Sequence, residues 1–205
     1  VLARLAQVDG QRHDLGAARG HDLRDESVLA LQQRFGVDRA QAARVRGQAL
    51  ALYADVAPDA TPERVNELRW AAELHEVGMM VSHHDHHRHS AYLVAHVDAA
   101  GFSQSQQRAL ADLVLGQRGG LRKIDTLLAD EARAWQLLCL RLAVIKCHAR
   151  AAVDLSVLGI TPRAQVARLN FSPAWAAAHP RTMHLLREEA EGWARSGSLK
   201  LSLPD

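Results

Sequence analysis

The segment that most restricts the fold is DEARAWQLLCLRLAVIKCHAR, residues 130–150. It has helical character and is apolar around almost its whole circumference. A helix that is hydrophobic on every side is stable only when other elements surround it. We therefore predict a central helix with further helices packed around it, and 205 residues are enough to build one such core.

Signals for the start of a helix precede this segment along the chain. Asp38, with glutamine three residues later, is typical of a capping box and predicts a helix over about 38–56. Thr61 followed by proline supplies an N-cap and a first-turn proline for the next helix. Ser103, again with glutamine three residues on, begins another helix that is expected to end near Gly116. These signals predict an all-helical bundle.

The pattern changes after Arg150. Three segments show the alternation of apolar and polar residues that is typical of half-buried strands: 151–159, 164–172 and 198–205. An amphipathic helix is predicted after Pro180. The predicted fold is therefore mainly α, with a helical domain over 1–150 and a small α/β domain of about three strands and one helix over 151–205.

Composition limits the kinds of molecule that are expected to bind this protein. The formal net charge is +2 and 48% of the residues are hydrophobic, so no charge field favours a nucleic-acid or membrane partner. No uncharged apolar run approaches the roughly 18 residues that a membrane span needs, and no signal peptide is recognised. We expect a cytoplasmic protein that binds neither nucleic acid nor membrane.

Seven of the twelve histidines fall within the 22 residues from His75 to His96. Neutral imidazoles bind metals, and protonated imidazoles pair with phosphate. The alternative is that some are surface residues and one or two are hydrogen-bonded core residues. The periodicity of the preceding helix places His75 on the face that points into the core.

The sequence LHEVG resembles the LHDIG segment of HD-superfamily phosphohydrolases. In that superfamily the His-Asp pair binds a divalent metal with a histidine from an earlier helix and an aspartate from a segment like LRLAD. Here His75 matches, but Glu76 stands in place of the aspartate of the pair. Val144 occupies the position of the later aspartate, and the earlier helix has no histidine near Arg46. The resemblance thus predicts a degenerate site without metal.

A broader resemblance covers nearly the whole chain. LHEVG together with HRHSAY, and the segments HDLRDESVLALQQRFGVD, LCLRLAVIKCHAR and HPRTMHLLREEAEGW, are similar to the C-terminal half of the exopolyphosphatase and guanosine-pentaphosphate phosphohydrolase (Ppx/GppA) family. This resemblance implies an HD-like domain and a small C-terminal domain that help to bind polyphosphate and to form a homodimer. In that family, separate N-terminal actin-like domains hold the catalytic glutamate, the phosphate-binding glycine loops and the magnesium. Because the chain starts at Val1 without methionine and lacks those elements, we expect a fragment that has no cofactor and no activity of its own.

Several basic residues are candidates for contacts with phosphate. A helix N-terminus attracts anions, and arginine adds a bidentate fork. The candidates are His87, Arg88 and His89 at the start of the helix through SAYLVAHV, then His21, Arg24, Arg118 and Arg122. If the histidines carry charge, binding should strengthen as the pH falls through roughly 6.5, the unperturbed histidine pKa.

Three functional alternatives stay open at this point. The first is the accessory polyphosphate-binding region that the resemblance implies. The second is a self-sufficient metal-dependent phosphohydrolase that uses His75, Glu76 and histidines of the cluster. The third is a regulatory module that senses guanosine tetra- or pentaphosphate. For Arg88, the alternative to phosphate binding is an internal salt bridge to Asp85 or Glu76.

Overall fold

The computed structural model describes residues 22–204, and the first part of this range is helical. Its α-helices are α1 (Leu23–Arg34), α2 (Arg39–Val56), α3 (Pro62–Leu74), α4 (His86–His96), α5 (Gln104–Gly116), α6 (Asp125–Leu128) and α7 (Glu131–Lys146). Two 3-10 turns, Val77–Met80 and Leu121–Ile124, lie between them. The prediction of a mainly helical protein is confirmed.

The predicted helix starts are confirmed by their hydrogen bonds. The side chains of Asp38, Thr61 and Ser103 each accept a bond from the backbone N–H three residues further on. Only the helix after Ser103 has both halves of a capping box. At Asp38 the box is one-sided, because Gln41 Oε1 instead accepts from Arg44 Nε at 3.0 Å, while Gln41 Nε2 donates to the carbonyl of Cys147 at 2.9 Å.

Helix α7 is the centre of the core, as its composition predicts. Eight of its residues have no exposed surface: Ala134, Gln136, Leu137, Leu138, Cys139, Leu140, Leu142 and Ala143. Their neighbours come from helices before and after α7 in the chain, so burial continues around the helix. This environment supplies the apolar contacts that make an all-round hydrophobic helix stable.

The second part of the chain is a small sheet with helices beside it. Its elements are β1 (Gly159–Arg163), β2 (Val166–Asn170), α8 (Pro173–Ala178), α9 (Pro180–Ser196) and β3 (Lys200–Ser202). Strands β1 and β2 pair antiparallel, with Ile160 opposite Leu169, and β2 pairs parallel with β3, with Ala167 opposite Leu201. These four side chains are buried in the same hydrophobic cluster as α7. The small α/β part is confirmed, whereas a domain boundary near residue 150 stays a prediction.

Two details of this part differ from the sequence prediction. The first strand was expected over 151–159, but it begins only at Gly159. Asp154 accepts hydrogen bonds from the backbone and hydroxyl of Ser156, which folds the preceding residues into a 3-10 turn at Leu155–Val157. Helix α8 was not predicted, although Ser172 followed by proline is the same start signal as at Thr61. Local side-chain capping overrides the alternating pattern here.

Across residues 22–204, no helix combines the length and the apolar character that crossing a bilayer requires.

Candidate functional site

His75 lies directly after the end of α3 and is 1% exposed. Its Nδ1 is 2.6 Å from the carbonyl oxygen of Ala72, and since a carbonyl only accepts, Nδ1 carries the proton. Burial lowers the pKa of His75, so the ring is neutral and Nε2 presents a lone pair. The prediction that His75 points into the core is confirmed.

The carboxylate of Glu76 is bound by an arginine. Arg150 Nη2 donates to Glu76 Oε1 at 2.6 Å, while Arg150 Nη1 lies 3.0 Å from Asp38 Oδ2. The Glu76 side chain is 9% exposed, so this guanidinium neutralises a carboxylate that has little access to water. Arg150 itself has a φ of 54°, which lies in the left-handed region that L-residues seldom adopt.

The residues around His75 do not fit a metal of the HD kind. Val144 lines the same cavity and supplies no ligand atom. Gln41 is the α2 residue that lines the cavity, and no residue near Arg46 does so. Arg46 instead pairs with Glu73 at 2.7 Å. Within residues 22–204, no three His, Cys, Asp or Glu side chains converge as a metal ion requires. The geometry gives no support to a self-sufficient metal-dependent hydrolase.

A close backbone contact joins this cavity to the start of α4. Gly78 N donates to the Ser90 hydroxyl at 2.8 Å, and a Cβ at Gly78 would lie 2.3 Å from Ser90 N and 2.5 Å from His86 O. Only glycine allows the two segments to approach this closely. The glycine of LHEVG and the serine of HRHSAY are therefore in direct contact.

The first turn of α4 places its three predicted residues in different environments. Arg88 is exposed, His89 is half-buried and His87 is 5% exposed. Burial lowers the pKa of His87 to about 4, and the nearby cations Lys123 and Arg88 act in the same direction. His87 is therefore neutral near pH 6.5, so it does not meet the condition under which a histidine would strengthen phosphate binding there.

A group of cations lies beside this turn, in the loop after α5. We call the neutral His87 and the cations Arg88, Arg118 and Lys123, together with Arg122 as the sequence neighbour of Lys123, the basic corner. Lys123 Nζ donates to the Arg118 carbonyl at 2.6 Å, and a Cβ at Gly119 would lie 3.2 Å from Lys123 Nζ and 3.6 Å from His87 Nε2. Burial, Arg141 and Arg88 lower the pKa of Lys123 to about 8, so its ammonium is charged at neutral pH.

Arg141, a charged residue of the central helix, holds the loop of the basic corner through hydrogen bonds. Arg141 Nη1 donates to the carbonyls of Gly116 and Gly119, at 2.6 and 3.1 Å. Its Nη2 lies 2.7 Å from Glu189 Oε2, and Glu189 also accepts from Trp193 Nε1 at 2.7 Å. This buried network fixes the loop through its own carbonyl oxygens, while the Glu189 carboxylate neutralises Arg141.

Two other predicted phosphate contacts lie outside this arrangement. His21 falls outside the described residues. Arg24 uses its guanidinium on Asp22 and Glu63, both at 2.7 Å, and stacks 4.5 Å from the Trp70 ring centre. A phosphate-binding role for Arg24 is not supported, because these carboxylates already satisfy its donors. The separate Arg88 alternative also fails, since Glu76 pairs with Arg150 and Asp85 lies 3.6 Å from His84 Nε2.

Sequence reasoning missed two residues of the site. Lys123 lies in GQRGGLRK, a segment in which only the arginines were considered. Arg150 follows the central helix and carries no motif of its own, so its pairing with Glu76, 74 positions earlier, has no local signal.

The helical bundle carries the His75–Glu76 segment beside a basic loop. Comparison with known families finds that the Ppx/GppA phosphatase family, domain III, matches residues 23–190. The chain belongs to the Ppx/GppA phosphatase family.

Similar curated proteins share one printed description, guanosine-5'-triphosphate,3'-diphosphate pyrophosphatase. The protein from Pseudoalteromonas translucida is 32% identical over 182 residues, covering 86% of this chain and 37% of that protein. The protein from Photobacterium profundum is 30% identical over 195 residues, covering 93% and 39%. One from Vibrio cholerae is 29% identical over 188 residues, covering 87% and 38%. The chain thus spans less than two fifths of the length of these relatives.

Proposed function

We propose that this chain is the C-terminal accessory region of a Ppx/GppA phosphohydrolase and that its basic corner binds polyphosphate. The parent protein would remove terminal phosphates with magnesium bound in separate N-terminal actin-like domains. This region would hold the chain of phosphates and would contribute to a homodimer. It has no catalytic role in itself.

The observation that carries this proposal is a set of cations without carboxylate partners. Among residues 22–204, the side chains of Arg88, Arg118, Arg122 and Lys123 form no ion pair, whereas half of the other arginines do. Positive charges that lack a nearby negative charge repel one another and make the folded state less stable. A bound anion removes part of that repulsion. Asp85, the acidic residue closest in sequence to Arg88, lies 3.6 Å from His84 Nε2; its charge raises the pKa of Lys123, but less than burial, Arg141 and Arg88 lower it.

A polyphosphate chain suits this surface chemically. Each phosphate carries charge, guanidinium groups bind phosphate oxygens bidentately, and a lysine adds a point charge. The lowered pKa of Lys123, about 8, shows that burial and like charges oppose its protonation. A bound phosphate beside its ammonium would reverse that effect, which makes Lys123 a strong candidate contact.

The names of the relatives favour a second substrate for the parent protein. Their printed description refers to a guanosine nucleotide with phosphates at both the 5' and 3' positions. The same basic corner could take its phosphate groups, and a module that only senses the nucleotide would use the same contacts. Length separates the ligands, because a polymer contacts more cations than a short phosphate group.

Titration of labelled long-chain polyphosphate into the chain tests the proposal. We expect binding that weakens with salt, because counterions are released. Arg88→Ala should reduce the affinity by about 1 to 3 kcal/mol through loss of a charge-assisted contact. Arg168→Ala is the matched control, since Arg168 is exposed on β2 and has no ion pair within the described part of the chain.

Equal losses for Arg88→Ala and Arg168→Ala would mean unspecific attraction and would contradict the proposal. Salt-insensitive binding, or none, would contradict it as well. Phosphate release from polyphosphate with magnesium, above a heat-treated sample and lost in Glu76→Ala, would instead show that the chain is an enzyme. Light scattering across a concentration series tests the homodimer.

A further inference from the structure

Lys123 has a chemical environment that suits more than the binding of an anion. Its side chain is half-buried, and its Nζ donates to the carbonyl of Arg118 at 2.6 Å, at the exposed surface of the loop. Within residues 22–204 this is its one hydrogen bond, and no carboxylate forms an ion pair with it there. The amine is thus held in place without being neutralised.

The groups around Lys123 disfavour its ammonium form. Burial is the largest effect, and the charges of Arg141 and Arg88 add to it, so the pKa falls to about 8 although Asp85 acts in the opposite direction. His87, which also lies beside Gly119, has a pKa of about 4 and adds no charge. At pH 8 about half of the Lys123 side chains are therefore uncharged, whereas an ordinary lysine is almost fully protonated.

An uncharged lysine amine is a nucleophile, and proteins activate it by burial next to another cation. The space beside this amine is open. Gly119 and Gly120 are both exposed; a Cβ at Gly119 would lie 3.2 Å from Lys123 Nζ, and one at Gly120 would meet no atom within 4 Å. Because one N–H is directed at the Arg118 carbonyl, the lone pair of the amine points elsewhere. A small electrophile can therefore approach it from the solvent.

We propose that Lys123 is a site of acylation by acyl phosphates, with Arg88 binding the phosphate group of the reagent. Arg88 is exposed, forms no ion pair among the described residues and is close enough for its charge to act on Lys123. Its guanidinium fork fits phosphate oxygens, and binding there holds the carbonyl carbon of the reagent near the amine.

The transfer needs no further reactant. The uncharged amine attacks the carbonyl carbon of the acyl phosphate, so a C–N bond forms and the C–O bond to phosphate breaks. Phosphate leaves with the electron pair of that bond and takes up the proton that the nitrogen releases. The product is an amide, so one positive charge is lost from the basic corner. This reaction shares Arg88 with the proposed polyphosphate contact, but it goes beyond that function and does not depend on it.

Mass spectrometry of the chain after incubation with acetyl phosphate at pH 8 tests the proposal, because the sequence contains only three lysines. Lys123 should be acetylated at least about tenfold faster than Lys200, which is exposed on β3. Lys146 is the control for burial alone. It is also half-buried, but its Nζ donates both to Gln48 Oε1, at 2.7 Å, and to the Asp154 carbonyl, so it should react more slowly than Lys123.

A second reagent separates phosphate recognition from simple reactivity. Acetic anhydride transfers the same acetyl group but has no phosphate, so the preference for Lys123 over Lys200 should be larger with acetyl phosphate. Arg88→Gln should reduce that preference about fivefold with acetyl phosphate and much less with the anhydride. A change in the protonation of Lys123 would affect both reagents alike. Arg168→Gln, on exposed β2, is the matched control and should change neither preference.

Equal acetylation rates at Lys123 and Lys200 with acetyl phosphate would overturn the proposal. So would equal preferences with the two reagents, or an effect of Arg88→Gln no larger than that of Arg168→Gln. Polyphosphate titration uses the unmodified protein, so its result stands in each of these cases and the two proposals fail separately.

Discussion

Two neighbouring regions of this protein treat charge in opposite ways. Around Glu76, the carboxylate is matched by Arg150, which also pairs with Asp38, so the charge is neutralised within the protein. In the basic corner, the Lys123 ammonium donates to the Arg118 carbonyl, and neither side chain forms an ion pair within residues 22–204. In the first region, the positive charge beside the His75–Glu76 segment comes from an arginine side chain. In the second region, the positive charges remain able to interact with an anionic ligand.

This difference separates residues that stabilise the fold from residues that bind a ligand. A charge with an internal partner contributes to stability, and its removal exposes the partner. A charge without a partner contributes little to stability, and its removal affects binding instead. The two regions should therefore respond to substitution in opposite ways, and the following predictions test this contrast.

The largest effect is expected at the contact between the two regions. Gly78→Ala places a methyl group 2.3 Å from Ser90 N, and that backbone cannot move without shifting α4. We expect a loss of about 3 kcal/mol or more in the free energy of unfolding, measured by urea denaturation.

Gly192→Ala provides its control. Gly192 lies within α9, and an added Cβ there meets no atom within 4 Å, so this variant should gain about 0.5 to 1 kcal/mol. Similar stabilities for the two variants would show that the close contact does not hold the regions together.

The next effect contrasts Arg150 with Arg88. Arg150→Ala leaves Glu76 without its partner, and because the Arg150 side chain is 40% exposed we expect a reduced cost of about 2 kcal/mol in unfolding free energy. Arg150→Gly should be about 1 kcal/mol more stable than Arg150→Ala, since the φ of 54° favours glycine. Arg88→Ala should change stability by less than about 0.5 kcal/mol. Equal destabilisation by Arg150→Ala and Arg88→Ala would remove the contrast.

A smaller effect concerns the pH dependence of polyphosphate binding. Because the pKa of Lys123 is lowered to about 8, its ammonium is present below that pH and is lost above it. Affinity should fall by about 1 kcal/mol as the pH rises through about 8, and Lys123→Met should abolish that step. An unchanged step in Lys123→Met would assign the titration to another group. With a pKa of about 4, His87 should give no step near pH 6.5.

The smallest expected effect is that of removing metal. Since Val144 supplies no ligand atom to the cavity and Arg150 already pairs with Glu76, chelation should leave the unfolding free energy unchanged. Elemental analysis of protein purified without chelator should find no stoichiometric manganese, iron, zinc or nickel. A partial zinc signal would reflect the clustered histidines, whereas near-stoichiometric metal would contradict the prediction.

The sequence by itself determined the helical framework. The all-round apolar character of α7 required a central position, and the side chains at Asp38, Thr61 and Ser103 set helix starts through bonds to residues three positions away. The sequence likewise has valine at position 144, where the HD resemblance would place an aspartate. These features depend on residues that are close together in the chain, so they can be recognised from the sequence alone.

Only the tertiary structure decided how the charges are used. Arg150 reaches Glu76 across 74 positions, Lys123 comes beside His87 through a loop, and His87 loses its charge because other elements cover it. Arg24 was removed from the candidates in the same way, by a carboxylate 39 residues further along the chain. Pairing and desolvation act through space, so the fate of each charge depends on which distant segment the fold brings to it.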